Sequence, residues 1–526
     1  MHFTQNVPPE SWLSGTHPFD SSDCGPKIPE GTGTTPLDIF RLFISDAIVS
    51  GFVLETNRYA LKKDGSQWVM MSDWELMRFF SIILFMGIQY MPERELYWQD
   101  SEFQAEFVRS KMTMQRFASI LSNWHWQDSS SLSPQEVRDR NRDVCFWSVA
   151  SFVEELAVVS RKLYKPHRHL DVDEQCIPFK GRHIAKQYNK DKPNKWHFKV
   201  YALNCAHSGY MSNFYLYRGK NEHRPAEHAH VQTSNYPVYK LTLPAMYQQQ
   251  WYILYTDNYF TSVPSMSTML EREIYQVGTV RSNKLADAKA LVIPKKAKPQ
   301  RGFYKCFKNA TNGIYLVSWM DRKPVNILSA IETKTTTCVR RSHTGAANTI
   351  PCPSVVALYN KAMGGTDSFD QRLSYYWPHI RTVKWTVRVL IHFFYVAVLN
   401  AHILFKEHKS LIRGHQNYTF LSFCKTLMRQ CASYGPQIVP TPRMLPFRPH
   451  RLTSELERST GIHTPVHVRC LPAEESHSGA ANYCRRICAV CKKTSSFMCK
   501  QCQVGLHIRM DGIDNCWEQH HGPVFS

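Results

Sequence analysis

The period of the apolar residues switches twice along this chain, and that switch restricts the fold more than any other feature. From residue 35 to 126 apolar positions recur at helical spacing, with Ile39, Phe40, Phe43 and Ile44, then Leu76, Phe79, Phe80 and Leu84. From residue 169 the spacing alternates. HLDVDEQCIPF, WHFKVYALNC and SGYMSNFYLYRGK read as strands, and WYILYTD (251–257) as another short strand ending in an acid. GFYKCF, NGIYLVSWMD and PVNILSAI carry the β-rich character on to TTTCVRR. Helical spacing returns at YNKAMGGTDSFDQRLSYY and persists through VLIHFFYVAVLNAHILF (389–405). Two helical blocks therefore enclose a strand-rich region, which makes the expected class α/β. The 526 residues exceed what one core organises, and no internal repeat accounts for the length.

The 389–405 stretch holds His392, Asn400 and His402, falls short of a bilayer span, and reads as a buried helix. MHFTQNVPPESW lacks the basic start and apolar run of a secretory signal, so an intracellular protein with no membrane partner is expected. Six of the 16 cysteines crowd into residues 484–516, and the other ten read as reduced thiols. The Pro-, Gly-, Ser- and Thr-bearing residues 1–35 read as a mobile tail.

A formal charge of +21 and a pI near 9.3 call for a polyanionic partner. The charge is concentrated: residues 161–200 carry eleven Lys or Arg against four acids. Lys180, Arg182, Lys186, Lys190, Lys195 and Lys199 are the candidates for phosphate contact within this track. Tyr188 and Trp196 lie inside it and offer stacking faces, although Trp196 reads better as a core residue.

Acids punctuate the same region. Residues two apart in a strand share a face, so Asp171 and Asp173 point the same way while Val172 points to the core. Asp257 ends its strand, and Asp367 and Asp370 share one side of a helix that Gly364 and Gly365 allow to approach closely. Any one of these is more often a cap, a turn or a solvated face. Together they suit two-metal phosphoryl transfer, in which oxygen ligands hold two hard divalent ions about 3.5–4 Å apart. Clustered acids repel, and the ions would keep them ionised.

DVDEQCIPFKGR, YTDNYFTS (255–262) and YNKAMGGTDSFDQ (359–371) resemble, in order, the three acidic motifs of piggyBac-type transposases. ETNRYA, MGIQYMPERELYW, KPNKWHFKVYALN, GTVRSNK, SWMDRKPVNILSAI and VKWTVRVLIHFFYVAVLNAHILF are similar to further family segments, so the resemblance covers roughly residues 35 to 410 and the Cys-rich end. It implies a DNA transposase with an RNase H-like catalytic core interrupted by a β-rich insertion. Asp173, Asp257 and Asp367 would be the catalytic triad binding two Mg²⁺ (or Mn²⁺), with Asp370 a fourth acid beside them. Glu174 and Asn258 are read as structural, and Asp171, where the family commonly has an uncharged residue, stays outside the core set. The resemblance also implies cleavage at transposon ends, a hairpin intermediate and joining to TTAA targets. It implies double-stranded DNA as partner, a homodimer or higher assembly, and the nucleus as location. Trp385, between Lys384 and Arg388, corresponds to a family Trp near bound DNA, with core packing an equal alternative.

The resulting plan is a tail (1–35), a helical dimerisation and DNA-binding domain (36–166 and 378–455), and a catalytic domain (167–277 and 354–377). A β-rich insertion (278–353), a linker (456–483) and a Cys-rich domain (484–526) complete it. In that last segment Cys488-x2-Cys491, Cys499-x2-Cys502, His507, Cys516, His520 and His521 have the spacing of tetrahedral sites for two Zn²⁺, with Cys484 as an alternate. So short a segment would take its stability from the metal. The family's Cys-rich domain reads transposon-end DNA, which this one is expected to share. The segment ahead of residue 35 lacks the long acidic, Ser-rich leader common in the family, implying a late start or a lost regulatory segment. Two other functions fit the same residues: a host-adopted DNA-binding protein without cleavage, and an interaction module whose zinc end is a RING- or PHD-like adaptor.

Overall fold

One helix, Trp385–Glu407, organises the molecule. Eighteen of its 23 residues are buried, because its sequence is apolar all round rather than along a stripe. It is longer than the sequence suggests and would span a bilayer by length and composition, yet 94% of its most apolar window lies inside the fold. The computed structural model describes residues 10–435 except 14, 100–104, 220–221, 223, 230, 342–346 and 409–417. Beyond 435 it describes only 465–467, 486–487, 494–495 and 497–499.

The chain divides into two compact units, Met1–Gln437 and Ile438–Ser526. In the first, helices from both ends of the sequence share one core with the central helix. The Phe40 ring meets Phe394 edge-on and the Phe80 ring packs on it at a tilt, and the Tyr395 hydroxyl donates to Ile83 O at 3.2 Å. Asp73–Ile88 starts at a Ser72 cap, and Phe420–Ala432 at a Thr419 cap. Asn400, polar inside the buried helix, exchanges two hydrogen bonds with the backbone of Met211 and so ties an edge strand to the helix.

That strand belongs to a nine-stranded sheet. Met211–Leu216 and Gln187–Tyr188 both pair with Trp196–Cys205; next come His169–Pro178, Ile253–Thr256, Tyr275–Thr279, Pro324–Ser329, Tyr315–Met320 and Tyr304–Lys308. The two junctions around Ile253–Thr256 are parallel and the others antiparallel. The strands of the 278–353 region thus extend the main sheet, through pairs such as Ile327 with Thr279. A hairpin of Thr335–Arg341 and Ala347–Pro353 forms a separate sheet. It brings Cys338 and Cys352 into a disulfide with Cα atoms 5.6 Å apart, which departs from the expectation of reduced thiols throughout.

The expectation of a loose tail also fails for its described part. Leu13 is buried, the His17 ring stacks on Trp251 at 3.9 Å, and Gly25–Pro26 pairs with Tyr164–Lys165. In the second unit Pro465–His467 pairs with Phe497–Cys499, and Arg486–Ile487 with Thr494–Ser495. Of the zinc-ligand candidates, Cys488, Cys491, Cys502, His507, Cys516, His520 and His521 lie outside the described residues; Cys499 ends a strand whose side chains are not described.

Candidate active site

Strand alternation puts Leu170 and Val172 into one apolar cluster and turns Asp171, Asp173 and Gln175 to the opposite face. On the neighbouring parallel strand Asp171 pairs with Tyr255 and Val172 with Thr256, so the next register position sets Asp173 beside Asp257. Adjacent strands lie about 4.8 Å apart, and the Asp257 charge acts on Asp173 across this junction.

The helix Gly365–Tyr375 lies over the same face. Two contacts dock it. Asp171 Oδ2 accepts from Thr366 N at 2.9 Å and from Thr366 Oγ1 at 2.6 Å, and Gln175 Nε2 donates to Asp370 Oδ1. Asp173 lies between those anchors on the strand, and Asp367 between their partners on the helix. Gly365 makes the approach possible, since a Cβ there would collide with Asp171 Oδ1 and meet Asn204 Cβ at 3.4 Å. Met363 and Gly364 divide the helical run into Ser354–Ala362 and Gly365–Tyr375, so the acidic helix starts at the glycines.

Each acid is held by its own strand or turn. Asp173 accepts from Glu174 N at 2.7 Å. Asp257 accepts from Tyr259 N at 2.8 Å and Phe260 N at 3.4 Å, an Asx turn that fixes the strand's exit. Lys284 donates to the carbonyls of Asn258 and Tyr259 at 3.0 and 2.7 Å, and Arg281 to Asn258 Oδ1 at 2.7 Å, bracing the turn from outside.

The electrostatics are those of acids confined together. Burial pushes the Asp173 carboxyl up to about 7, and the charges of Asp257, Glu174 and Asp367 push in the same direction against the Glu174 amide. Burial likewise raises Asp370 to about 7, against the Gln175 hydrogen bond and with the charges of Asp367 and Asp173. Asp257 is raised by burial and opposed by its two amide donors. Asp171, fully interior, is raised to about 7 by burial despite its bonds from Thr366. The sequence reading set Asp171 aside; the structure makes it the residue that docks the Asp367 helix. Its alternation with Asp173 was the available signal, and its partner lies 195 positions away.

Among the described residues no group of three Asp, Glu, His or Cys side chains is already arranged to hold a metal ion. The donor set is nevertheless hard oxygen, and Asp173, Asp257 and Asp370 are carboxyls raised first by burial and then by the charge of neighbouring acids. By donor chemistry these residues fit a divalent hard ion.

The basic track divides. Lys180, Arg182, Lys190 and Lys195 are exposed. Lys186 is half-buried, with Nζ 4.6 Å from the Trp196 ring. Lys199 is drawn to Glu174 at 2.8 Å and away from the surface. Arg388 donates to Ile380 O at 3.1 Å and leaves Nε buried, so its guanidinium is turned into the fold. Lys384 is exposed and donates to Ser122 O. Trp385 is half-buried against His183 and Phe146, at 4.7 and 5.6 Å, on the wall of a cavity of about 330 Å³ that Lys384, Arg138 and Arg142 also line. Trp196, read as a core residue, is 45% exposed instead, because it starts its strand at the edge where only the two-residue strand Gln187–Tyr188 covers it.

A family model described as "Transposase IS4" matches residues 35–402. The chain belongs to that transposase family. A piggyBac transposase, solved as a synaptic complex with hairpin DNA, matches with a TM-score of 0.65 at 23% identity, over 92% of this chain and 98% of that one. PiggyBac transposable element-derived protein 3 of Homo sapiens is 24% identical over 481 residues, which is 90% of this chain and 75% of the relative. PiggyBac transposable element-derived protein 2 of Homo sapiens is 26% identical over 358 residues, 67% of this chain and 58% of the relative. Within the family the chain is of the piggyBac type, with that type's mixed α/β fold.

Proposed function

We propose that this chain is a divalent-metal-dependent DNA transposase that cuts and joins strands at transposon ends. The observation that supports the reading is the register: Asp173 and Asp257 each follow the last parallel pair, Val172 with Thr256, while two side-chain contacts hold the Asp367 helix against the Asp173 strand. Five strands, Met211–Leu216, Trp196–Cys205, His169–Pro178, Ile253–Thr256 and Tyr275–Thr279, run in the order third, second, first, fourth, fifth, with the last two parallel to the first. This order supports an RNase H-like core.

Asp173, Asp257 and Asp367 would hold Mg²⁺ or Mn²⁺, with Asp370 alongside. The metal, when bound, supplies activation of the attacking oxygen and stabilisation of the leaving one. The chain's own contribution is positional: the Asx turn orients Asp257, Glu174 N orients Asp173, and the helix dock sets the height of Asp367. Exposed Lys180, Arg182, Lys190 and Lys195 would hold the DNA backbone by counterion release. A hairpin at the excised end, TTAA joining, a dimer spanning two ends, a nuclear location and a two-zinc Cys-rich domain complete this reading.

The test is excision of a reporter flanked by TTAA and cognate terminal repeats, with end-DNA binding measured in parallel. Asp257→Ala abolishes strand cleavage and leaves binding intact, because it removes a ligand and not the fold. Wild-type protein that binds ends and never cleaves would favour a second reading, a host-adopted DNA-binding protein. The human relatives' designation as transposable element-derived proteins is the observation behind it.

A further inference from the structure

The sheet edge beside the basic track carries two exposed aromatic rings. Tyr188 and Trp196 are direct cross-strand partners, 56% and 45% exposed, with ring centroids 4.7 Å apart and planes inclined at 51°. Backbone bonds from Asn189 N to Lys195 O at 2.9 Å and from Phe179 N to Trp196 O at 3.1 Å fix both sides of the pair, so the rings are held outward by the ladder. Lys186 sits against the Trp196 ring while its Nζ donates to Gly181 O at 2.6 Å. Lys180, Arg182, Lys190 and Lys195, close to the pair in sequence, are exposed, with Asp191 the exposed acid between residues 180 and 196.

Paired rings inside a cationic field fit one kind of occupant: a polyanion with accessible flat faces. Duplex DNA presents phosphates but keeps its base faces stacked, whereas an unpaired strand presents both. We propose that Tyr188 and Trp196, with Lys186, form a stacking platform for unpaired nucleotides of the bound DNA. The platform's place on the strand sets its distance from the acids. Trp196 is six residues from Ala202, the partner of Asp173. At about 3.3 Å per residue that is about 20 Å along the strand. This assignment rests on the proposed transposase reading for the identity of the DNA, but not for the stacking itself.

The experiment uses the full chain and two labelled probes of equal charge, a dT12 oligonucleotide and a twelve-unit abasic strand, followed by fluorescence anisotropy across a salt series. Base stacking on aromatic side chains changes affinity by about five-fold or more per base. Wild type therefore binds dT12 at least about five-fold more tightly than the abasic strand. Tyr188→Ala with Trp196→Ala removes that preference, leaves abasic binding and the salt slope unchanged, and Trp196→Phe restores part of it. Equal binding of the two probes by wild type overturns the proposal, as does a double variant that keeps the preference. A variant that weakens both probes equally overturns it too, and assigns the rings a structural or phosphate-only role. Should the double substitution unfold the chain, the Trp196→Leu and Tyr188→Leu single variants give the same comparison, each lowering the preference for dT12. Cleavage by wild type is read separately, so wild type that shows the base preference and never cleaves end DNA fails the transposase reading alone.

Discussion

Replacing Gly365 by alanine tests whether the acidic helix is docked by contact with Asp171. The new methyl group falls well inside contact distance of Asp171 Oδ1 and 3.4 Å from Asn204 Cβ. Asp171 cannot swing aside freely, since its other oxygen holds Thr366 N and Oγ1. Overpacking at such a site costs about 1–3 kcal/mol. Asp171→Ala alone strands the two Thr366 donors in a buried site, which costs about 1–3 kcal/mol. With both substitutions the methyl group occupies space the carboxylate has left, so the collision disappears and the cost falls near that of Asp171→Ala alone. The expected coupling is about 1–3 kcal/mol in favour of the double variant. Thermal scanning of the full chain reads it as roughly 1–2 °C per kcal/mol, scaled to a unit this long. Cleavage gives the second readout: lifting the helix by about 1 Å lowers the rate about 100-fold for Gly365→Ala. Additive effects on melting would refute the docking argument.

Three further outcomes are expected, the first two from the same geometry and the third from cysteine and histidine spacing. Asp173 and Asp370 are raised by burial to about 7, above the unfolded carboxylate range, so their contribution to stability is full below about pH 4 and is lost as pH rises through about 7. In chelator, melting temperature should decline from pH 5 to 8, and millimolar Mg²⁺ should recover it at pH 8; a flat profile with no metal response would contradict the shared acidic site. Gly278→Ala drives a Cβ into Thr261 Oγ1 and to 2.6 Å from Thr256 O, the residue before Asp257, so cleavage should fall about 100-fold while end-DNA binding persists. Elemental analysis of the full chain should find about two zinc atoms per molecule, and a metal-free Cys-rich end would dismiss that assignment.

Local pattern carried the strands well, and distance along the chain marks where it stopped. Trp196–Cys205 follows the run read as WHFKVYALNC, because alternation and β-branched or aromatic content are properties of the segment itself. Asp257 was visible for the same reason, at the end of four buried residues. The partner of Asp171 was not visible, since it is a threonine in a remote helix and only the folded chain brings the two together. Trp196 misled because burial at a strand's first residue depends on which strand covers it. The tail misled because turn-forming residues describe local backbone freedom, whereas Leu13 and His17 are fixed by Trp251 and its neighbours. The strands beyond Thr279 gave no sign that they would prolong the main sheet, a choice made by long-range pairing.

The shared helical core has a consequence for the ribosome. Leu37 N reaches Gln430 across 393 positions, and Tyr395 reaches Ile83 across 312. At about 5–20 residues per second, the first helices emerge some twenty seconds to over a minute before the segments that cover them are made. Throughout that interval Phe40 and Phe80 lack Phe394, so the nascent chain offers a holdase chaperone a long-lived, strongly apolar client.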